Sequence, residues 1–435
     1  MGRVPNVAWA ILVVALVLRL AVAETVAGQL PTGADERAYT TIAASVADGD
    51  GFPGEAELLG GGPSALSPPG YPYFLGGVFL LSGDSVTAAR VVQALLGTVT
   101  VALVGLIAWQ VFRRREVALA GMAIAAIYPP LLVISAPLMT ESLLLPLMLG
   151  AVAAALRYRD QGGLRWAIAA GVLGGLAMLT KDIGAIVLLV VAAAIWARPR
   201  LSMATIRAPA LALAAAAVVA LPWTIRNASE FDSLIPVSNK LGIALAGSYN
   251  EQARADPDHV WLPPAQLPEL NRVFLDPELD EAETARELES RALEFAADHP
   301  GYPVALAFQN LRRLLQLQTS SPTASDAEWM GYGGQAAGTT TFSAIFWSSA
   351  ISFAVLLALV VLAVIRGHAR IVPPFILVLA LLVVVPLLLI AAGPRFRLPA
   401  DLLLIIVAAP AAAELASSGV ARLRGRASAS APAGG

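Results

Sequence analysis

Apolar runs long enough to cross a hydrocarbon core of about 30 Å recur along this chain, and they decide its class before any motif does. Windows of roughly 20 apolar residues give candidate spans near 7–24, 86–111, 117–134, 142–157, 166–180, 183–197, 208–223, 342–365, 371–391 and 401–416. The expectation is an all-α polytopic membrane protein with about ten transmembrane helices. Composition agrees. Hydrophobic residues make up 57% of the 435, mean hydropathy is +0.71, and charged residues are only 14%, against about 25% in ordinary globular chains. An outer-membrane barrel would instead alternate apolar and polar residues over strands of about ten.

Arginines gather in every second connection: Arg3; Arg113 to Arg115; Arg157, Arg159 and Arg165; Arg198, Arg200 and Arg207; Arg366 and Arg370; Arg422, Arg424 and Arg426. By the positive-inside rule these sides are cytoplasmic and both termini are inside. The other face receives residues 25–85, the turns near 135–141 and 180–183, the segment 224–341, and 392–400. The chain then divides into seven spans within 1–223, an outer segment 224–341, three spans within 342–418, and a low-complexity cytoplasmic tail, 419–435, expected to be disordered. A competing reading takes Arg3, the first apolar run and Ala21-Val22-Ala23 as a signal peptide; Arg19 interrupts that run and argues for a retained span.

Both long polar regions fall on the outer face. After Asp35 and Glu36, the residues Tyr39, Ile42, Ala43 and Val46 recur at helical spacing, so 36–47 reads as an amphipathic helix in the interface. A Gly- and Pro-rich loop follows, and SPPGYP at 67–72 marks a rigid return toward the membrane; the apolar piece 73–81 is too short to span. In 224–341, Leu288, Ala292 and Phe295 mark a surface helix behind many acids, and 302–318 a second amphipathic one. No Walker loop, dinucleotide fingerprint, HExxH or GxSxG occurs. Cysteine is absent and the three histidines are far apart, so no Cys- or His-based metal site is expected. The net charge of −2 says little about partners, and no nucleic-acid partner is expected.

Several charges resist explanation by topology. Arg19 lies within the first span; Arg90 opens the second; Lys181 sits in a turn between two spans; Arg226 follows Pro222-Trp223; Arg395 and Arg397 flank Phe396. Ionisable groups at membrane depth cost about 2.5 to 3.5 kcal/mol on insertion scales, and they face a cavity, pair, or bind ligand. Singly, each has a bland reading: an arginine snorkelling to headgroups, Glu141 at a helix N-terminus beside Thr140, Asp182 as the partner of Lys181, Asp401 favouring a helix N-terminus. Together, opposite Asp35, Glu36 and Glu141 on the same outer face, the cations make an anion site. Cations and acids at an outer membrane surface suit a sugar carried on a polyprenyl phosphate. The departing phosphate needs fixed positive charge, and the acceptor hydroxyl needs a base.

The chain resembles the GT-C fold glycosyltransferases of the protein O-mannosyltransferase and aminoarabinose transferase type, bacterial membrane enzymes that use polyprenyl-phosphate sugars. The match is carried in order by Asp35-Glu36 with Tyr39 and Gly49-Asp50-Gly51-Phe52; SPPGYP; Ala89-Arg90; MTES at 139–142; LTK at 179–181; LPWTIRN at 221–227 with PVSN at 236–239; and PRFRLP at 394–399. The resemblance implies a GT-C-like bundle with its active site facing outside a cytoplasmic membrane. It implies Asp35 as catalytic base with Glu36 as its neighbour, and donor-phosphate contacts from Arg90, Lys181, Arg395 and Arg397. The charge pattern adds Glu141 to the candidate catalytic acids and Arg19 and Arg226 to the candidate phosphate contacts, with Tyr39 and Tyr71 expected in the donor and acceptor pocket. No metal is required by such a scheme, although the paired acids leave room for a divalent cation. The expected partners are a polyprenyl-phosphate-linked sugar donor, a lipid, glycan or protein acceptor, and membrane lipids. From the residues alone nothing separates Asp35 from Glu36. A transporter or flippase lined by the same charges is the rival reading, and it lacks the inverted repeat such folds commonly show.

Overall fold

The computed structural model describes residues 6–54, 62–196, 202–255, 261–276, 278–317 and 321–429, with the side chains of Ala204 and of residues 419–429 left undescribed. Arg3, Arg198, Arg200 and the end of the tail lie outside the described residues. The chain is a multi-pass membrane protein. Among the described residues six helices are long and apolar enough to cross a membrane: α1 (Asn6–Ala27), α4 (Val86–Phe112), α6 (Glu141–Gln161), α9 (Met203–Phe231), α14 (Thr340–Ile365) and α17 (Leu398–Ala429). Shorter apolar helices pack among them: α3 (Gly70–Ser82), α5 (Arg115–Ile127), α7 (Leu164–Thr180), α8 (Gly184–Ile195), α15 (Pro374–Leu382) and α16 (Val385–Leu389). Outside these lie α2 (Ala34–Asp48), α10 (Lys240–Ser248), α11 (Glu281–Asp298), α12 (Tyr302–Leu314) and α13 (Ala324–Trp329).

Three expectations change. The span expected at 117–134 is the shorter α5, ended by Tyr128, because Pro129 and Pro130 cannot continue it and reopen a single turn instead. The span expected at 371–391 is divided into α15 and α16, since Pro386 has no N–H to give the carbonyl one turn back. The tail expected to be disordered from 419 continues α17 to Ala429: its Ala, Leu and Arg residues favour helix and no proline stops it.

Small residues let the spans approach. A Cβ on Gly171 or Gly175, one turn apart on α7, would strike the backbone of Ala212 or Ala216 on α9. Without a hydrophobic drive between helices in lipid, such close backbone packing supplies the dispersion energy of association. The α7–α8 turn is held the same way, with Gly184 against Ala177 and Gly70 of SPPGYP against the Leu179 carbonyl. Lys181 therefore emerges from a turn fixed on both sides.

The spans sort charge to two ends. On α4, Arg90 is near the start and Arg113 just past the end; on α6, Glu141 opens the helix and Arg157 and Arg159 lie in its last turns. At 1.5 Å per residue, the 27 residues of α4 separate the ends by about 40 Å. The end bearing Arg90 and Glu141 also carries α2, the Lys181 turn and the start of α17.

Candidate active site

Asp35 and Glu36 occupy the first turn of α2, where the helix dipole favours negative charge. The turn is pinned by its neighbours: Thr32 bridges Tyr332, and a Cβ on Gly33 would lie 2.6 Å from the Gly331 carbonyl oxygen. Gly331 is left-handed, φ +94°, and faces Met139 and Arg395. Only a residue without a Cβ fits both conditions. Three segments distant in sequence thus meet around Arg395.

The two acids have different fates. Arg395 donates to Asp35, whose side chain remains 36% exposed although protein surrounds it. Burial tends to raise the Asp35 pKa, but the Arg395 guanidinium, aided by Lys240 and Lys181, holds the carboxyl well below the usual carboxylate range. Glu36 is buried and pairs with Arg90 at 3.4 Å, while the Leu138 backbone also bonds its carboxylate. Burial raises its pKa despite Arg90. Arg90 in turn donates to the Ala136 carbonyl at 2.9 Å. Glu36 and Arg90 therefore fasten α2 to the 134–140 loop.

Gln93 fastens the same loop from α4. Its Oε1 accepts from the Tyr71 hydroxyl at 2.8 Å and from the Met139 amide at 3.2 Å, and its Nε2 donates to the Pro137 carbonyl at 3.1 Å. Tyr71 meets Tyr39 edge to face, ring centres 5.4 Å apart. The tyrosines line the inner wall of the cluster. The loop leads into Glu141, which is buried and accepts from Lys181 Nζ at 2.5 Å. Lys181 is 27% exposed, and burial lowers its pKa against the pull of Glu141. The expected Lys181–Asp182 pair does not form: Asp182 accepts from Ser238 at 2.7 Å instead.

Phe396 supplies an aromatic floor, with Lys181 Nζ and Arg395 Cζ each 4.6 Å from the ring centre. Arg395 also donates to the Met139 sulfur at 3.1 Å, and its Nε is buried with no hydrogen-bond partner among the described residues. The site's remaining cation is Lys240, facing Tyr39, Asp35 and Asp182. It is delivered by the LPWTIRN and PVSN segments. Trp223 Nε1 donates to the Val237 carbonyl at 2.6 Å, Asn227 to Ile235 at 3.0 Å, and Thr224 to Pro236 at 3.1 Å.

Three arginines expected at the phosphate are placed elsewhere. Arg397 and Asp401 form a buried pair at 2.9 Å; Arg397 also donates to the Leu314 carbonyl and lies on the Phe353 ring, and Tyr128 donates to Asp401 at 2.8 Å. That set ties α12, α14 and α17 together, and Asp401, in the first turn of α17 as expected, gains Arg397 and Tyr128 as partners. Arg226 donates to the Ser64 carbonyl at 2.7 Å and stacks on Trp223, bracing the first outer loop. Arg19 donates to the carbonyls of Ala15, Ala125 and Ala126, the last two freed where Pro129 ends α5. Each guanidinium donates within the structure, although the Arg19 Nε is buried without a hydrogen-bond partner among the described residues.

Lys240, Phe396 and Gln93 were not expected. Lys240 had one signal: the chain has only two lysines, Lys181 and Lys240, and both fall in connections away from the arginine-rich ones. Phe396 and Gln93 had none, since an aromatic ring and an amide near a helix end are ordinary. Among the described residues no three His, Asp or Glu side chains gather as metal ligands, and the acids of the cluster are each engaged by a cation.

Residues 67–225 match the family described as dolichyl-phosphate-mannose-protein mannosyltransferase. That stretch contains Arg90, Glu141 and Lys181; Asp35, Lys240 and Arg395 lie outside it. No curated protein sequence matches the chain. Among solved structures it is similar to the archaeal oligosaccharyltransferase AglB of Archaeoglobus fulgidus in complex with an inhibitory peptide and a dolichol-phosphate: TM-score 0.55, 14% identity, 98% of this chain and 52% of that one. An Archaeoglobus fulgidus oligosaccharyltransferase in complex with Zn and sulfate gives TM-score 0.53 and 15% identity over 92% of this chain and 48% of that one. ArnT from Cupriavidus metallidurans bound to undecaprenyl phosphate gives TM-score 0.45 and 16% identity over 93% and 78%. The chain spans about half the length of the archaeal proteins it matches. It has the GT-C membrane fold that the sequence resemblance implied, and within that fold residues 67–225 are the part that matches the dolichyl-phosphate-mannose-protein mannosyltransferase family.

Proposed function

We propose that the chain is a membrane glycosyltransferase that moves a sugar from a polyprenyl phosphate to an acceptor hydroxyl on the extracytoplasmic face of a bacterial cytoplasmic membrane. The observation that carries this reading is one accessible carboxylate, Asp35, set among Arg395, Lys181 and Lys240. The mannosyltransferase match at 67–225 and the dolichol-phosphate held by the archaeal protein of like fold support the donor class. Arg395 grips phosphate oxygens through its planar fork, while Lys181 and Lys240 add point charges. Glu141 is too buried to meet a substrate and instead aims Lys181. Arg90 and Glu36 position the 134–140 loop.

In this scheme the acceptor oxygen loses its proton to Asp35 as it bonds to the anomeric carbon. The bond from that carbon to the phosphate oxygen breaks, its electron pair leaves with the phosphate, and the sugar is inverted. Asp35 held by Arg395 is a weak base. Donor phosphate draws Arg395 away and so raises the basicity of Asp35 once the donor is seated. The carboxylates engaged by cations are not a donor set for a metal ion, and no step runs through one.

The test is reconstitution into liposomes with a polyprenyl-phosphate sugar labelled in the sugar. Transfer with release of polyprenyl phosphate and an inverted linkage is expected. Label that crosses the bilayer with its phosphate bond intact would overturn the proposal in favour of a flippase.

A further inference from the structure

At the end of the bundle opposite Asp35, a cavity of about 210 Å³ is lined by Gln110, Arg113, Leu156, Arg157, Arg159, Asp160 and Pro373. A water takes about 30 Å³, so the space admits a group of several heavy atoms. Arg113 pairs with Asp160 at 2.8 Å; Arg159 donates to the Ala194 carbonyl at 2.8 Å and lies 5.8 Å from the Phe375 ring centre. Arg157 makes no ion pair or side-chain hydrogen bond among the described residues. Three guanidinium groups against one carboxylate leave two positive charges uncompensated. Gln110 is 9% exposed; its Nε2 donates to the Ala153 carbonyl at 3.2 Å, which fixes the amide's orientation, and its Oε1 is buried with no partner. The positive-inside rule explains why arginines sit at this end, and helix C-termini favour them. Neither explains why three of them wall one cavity.

We propose that this cavity binds a phosphate-bearing group, and that its source is the glycerophosphate headgroup of an anionic phospholipid in the adjoining leaflet. The arginines take the phosphate oxygens, and the glycerol fills the space beside them. Basic pockets between membrane helices on the arginine-rich side are suited to such headgroups. The site is independent of the sugar-transfer reading and can fail or stand without it.

Full-length protein in nanodiscs of mixed phosphatidylglycerol, cardiolipin and phosphatidylcholine is released and its retained lipid read by native mass spectrometry. Retention of the anionic lipids over phosphatidylcholine is expected, falling about fivefold in Arg157→Gln and restored in Arg157→Lys. Arg115→Gln removes a charge from the same end outside the cavity and should change retention little. A parallel titration with inorganic pyrophosphate in lipid-free detergent separates the sources: saturable binding lost in Arg157→Gln, without lipid selectivity, assigns a soluble phosphate compound instead of a lipid. Equal losses in Arg115→Gln and Arg157→Gln, or no selectivity in either arm, would overturn the proposal.

Discussion

Replacing Asp35 by Asn separates catalysis from binding, and the structure predicts opposite signs for the two. Asn keeps the shape and can still accept from Arg395, but it removes both the base and the negative charge that competes with the donor phosphate. Loss of a positioned base lowers transfer by about 10² to 10⁴. For binding, two unit charges about 4 Å apart at an effective dielectric of about 20 attract by about 4 kcal/mol. Asp35 is 36% exposed, so screening reduces the usable figure to about 1 kcal/mol. An incoming phosphate no longer has to outbid that pair. Undecaprenyl phosphate should therefore bind Asp35→Asn about fivefold more tightly than the parent, measured by thermophoresis in detergent alongside single-turnover transfer in membranes. Arg395→Ala should bind it more weakly. Asp35→Asn that keeps more than a tenth of the parental rate, or that weakens phosphate binding as Arg395→Ala does, would refute the reasoning.

Burial lowers the Lys181 pKa, so its ammonium loses charge at lower pH than a free lysine as pH rises; donor affinity should fall on the alkaline side, and the Lys181→Arg variant should move that limb upward because guanidinium stays charged. Asp35 has a depressed folded-state pKa, so its contribution to stability is fully present above about pH 4 and is lost only as pH falls through the lower folded value; urea midpoints in detergent between pH 3 and 7 test that sign. Arg397→Ala should cost about 3 to 5 kcal/mol by leaving Asp401 buried and unpaired, read as a lower melting temperature, with Arg397→Met combined with Asp401→Leu recovering part of it. Unchanged melting with lost donor affinity would return Arg397 to the phosphate site. Gly331→Ala puts a Cβ at φ +94°, 2.7 Å from Met139 Cε and 3.2 Å from Arg395 Nη1, so stability should drop by about 1 to 3 kcal/mol and donor affinity with it.

Hydropathy and charge bias, summed over long windows, made the polytopic class, the sorting of arginines to one end and the interfacial helix behind Asp35 legible in the sequence. Membrane thickness and the cost of charge in lipid act on every such window alike. Proline chemistry was equally local, yet Pro129-Pro130 and Pro386 cut two expected spans, because an apolar average does not register a missing N–H. The set of unexplained cations was legible too; which of them meet was not. Arg395, Arg397, Arg226 and Arg19 look alike in sequence, and only packing shows that Arg395 meets Asp35 while the others turn to Asp401, the Ser64 carbonyl and the end of α5. Asp35 and Glu36 are adjacent residues, but successive helical positions point about 100° apart, so one reaches Arg395 and the other turns to Arg90. Sequence by itself determined the solvent this protein folds in and the kinds of group it carries; the tertiary structure decided their partners, since a side chain's partner depends on contacts up to 360 positions away.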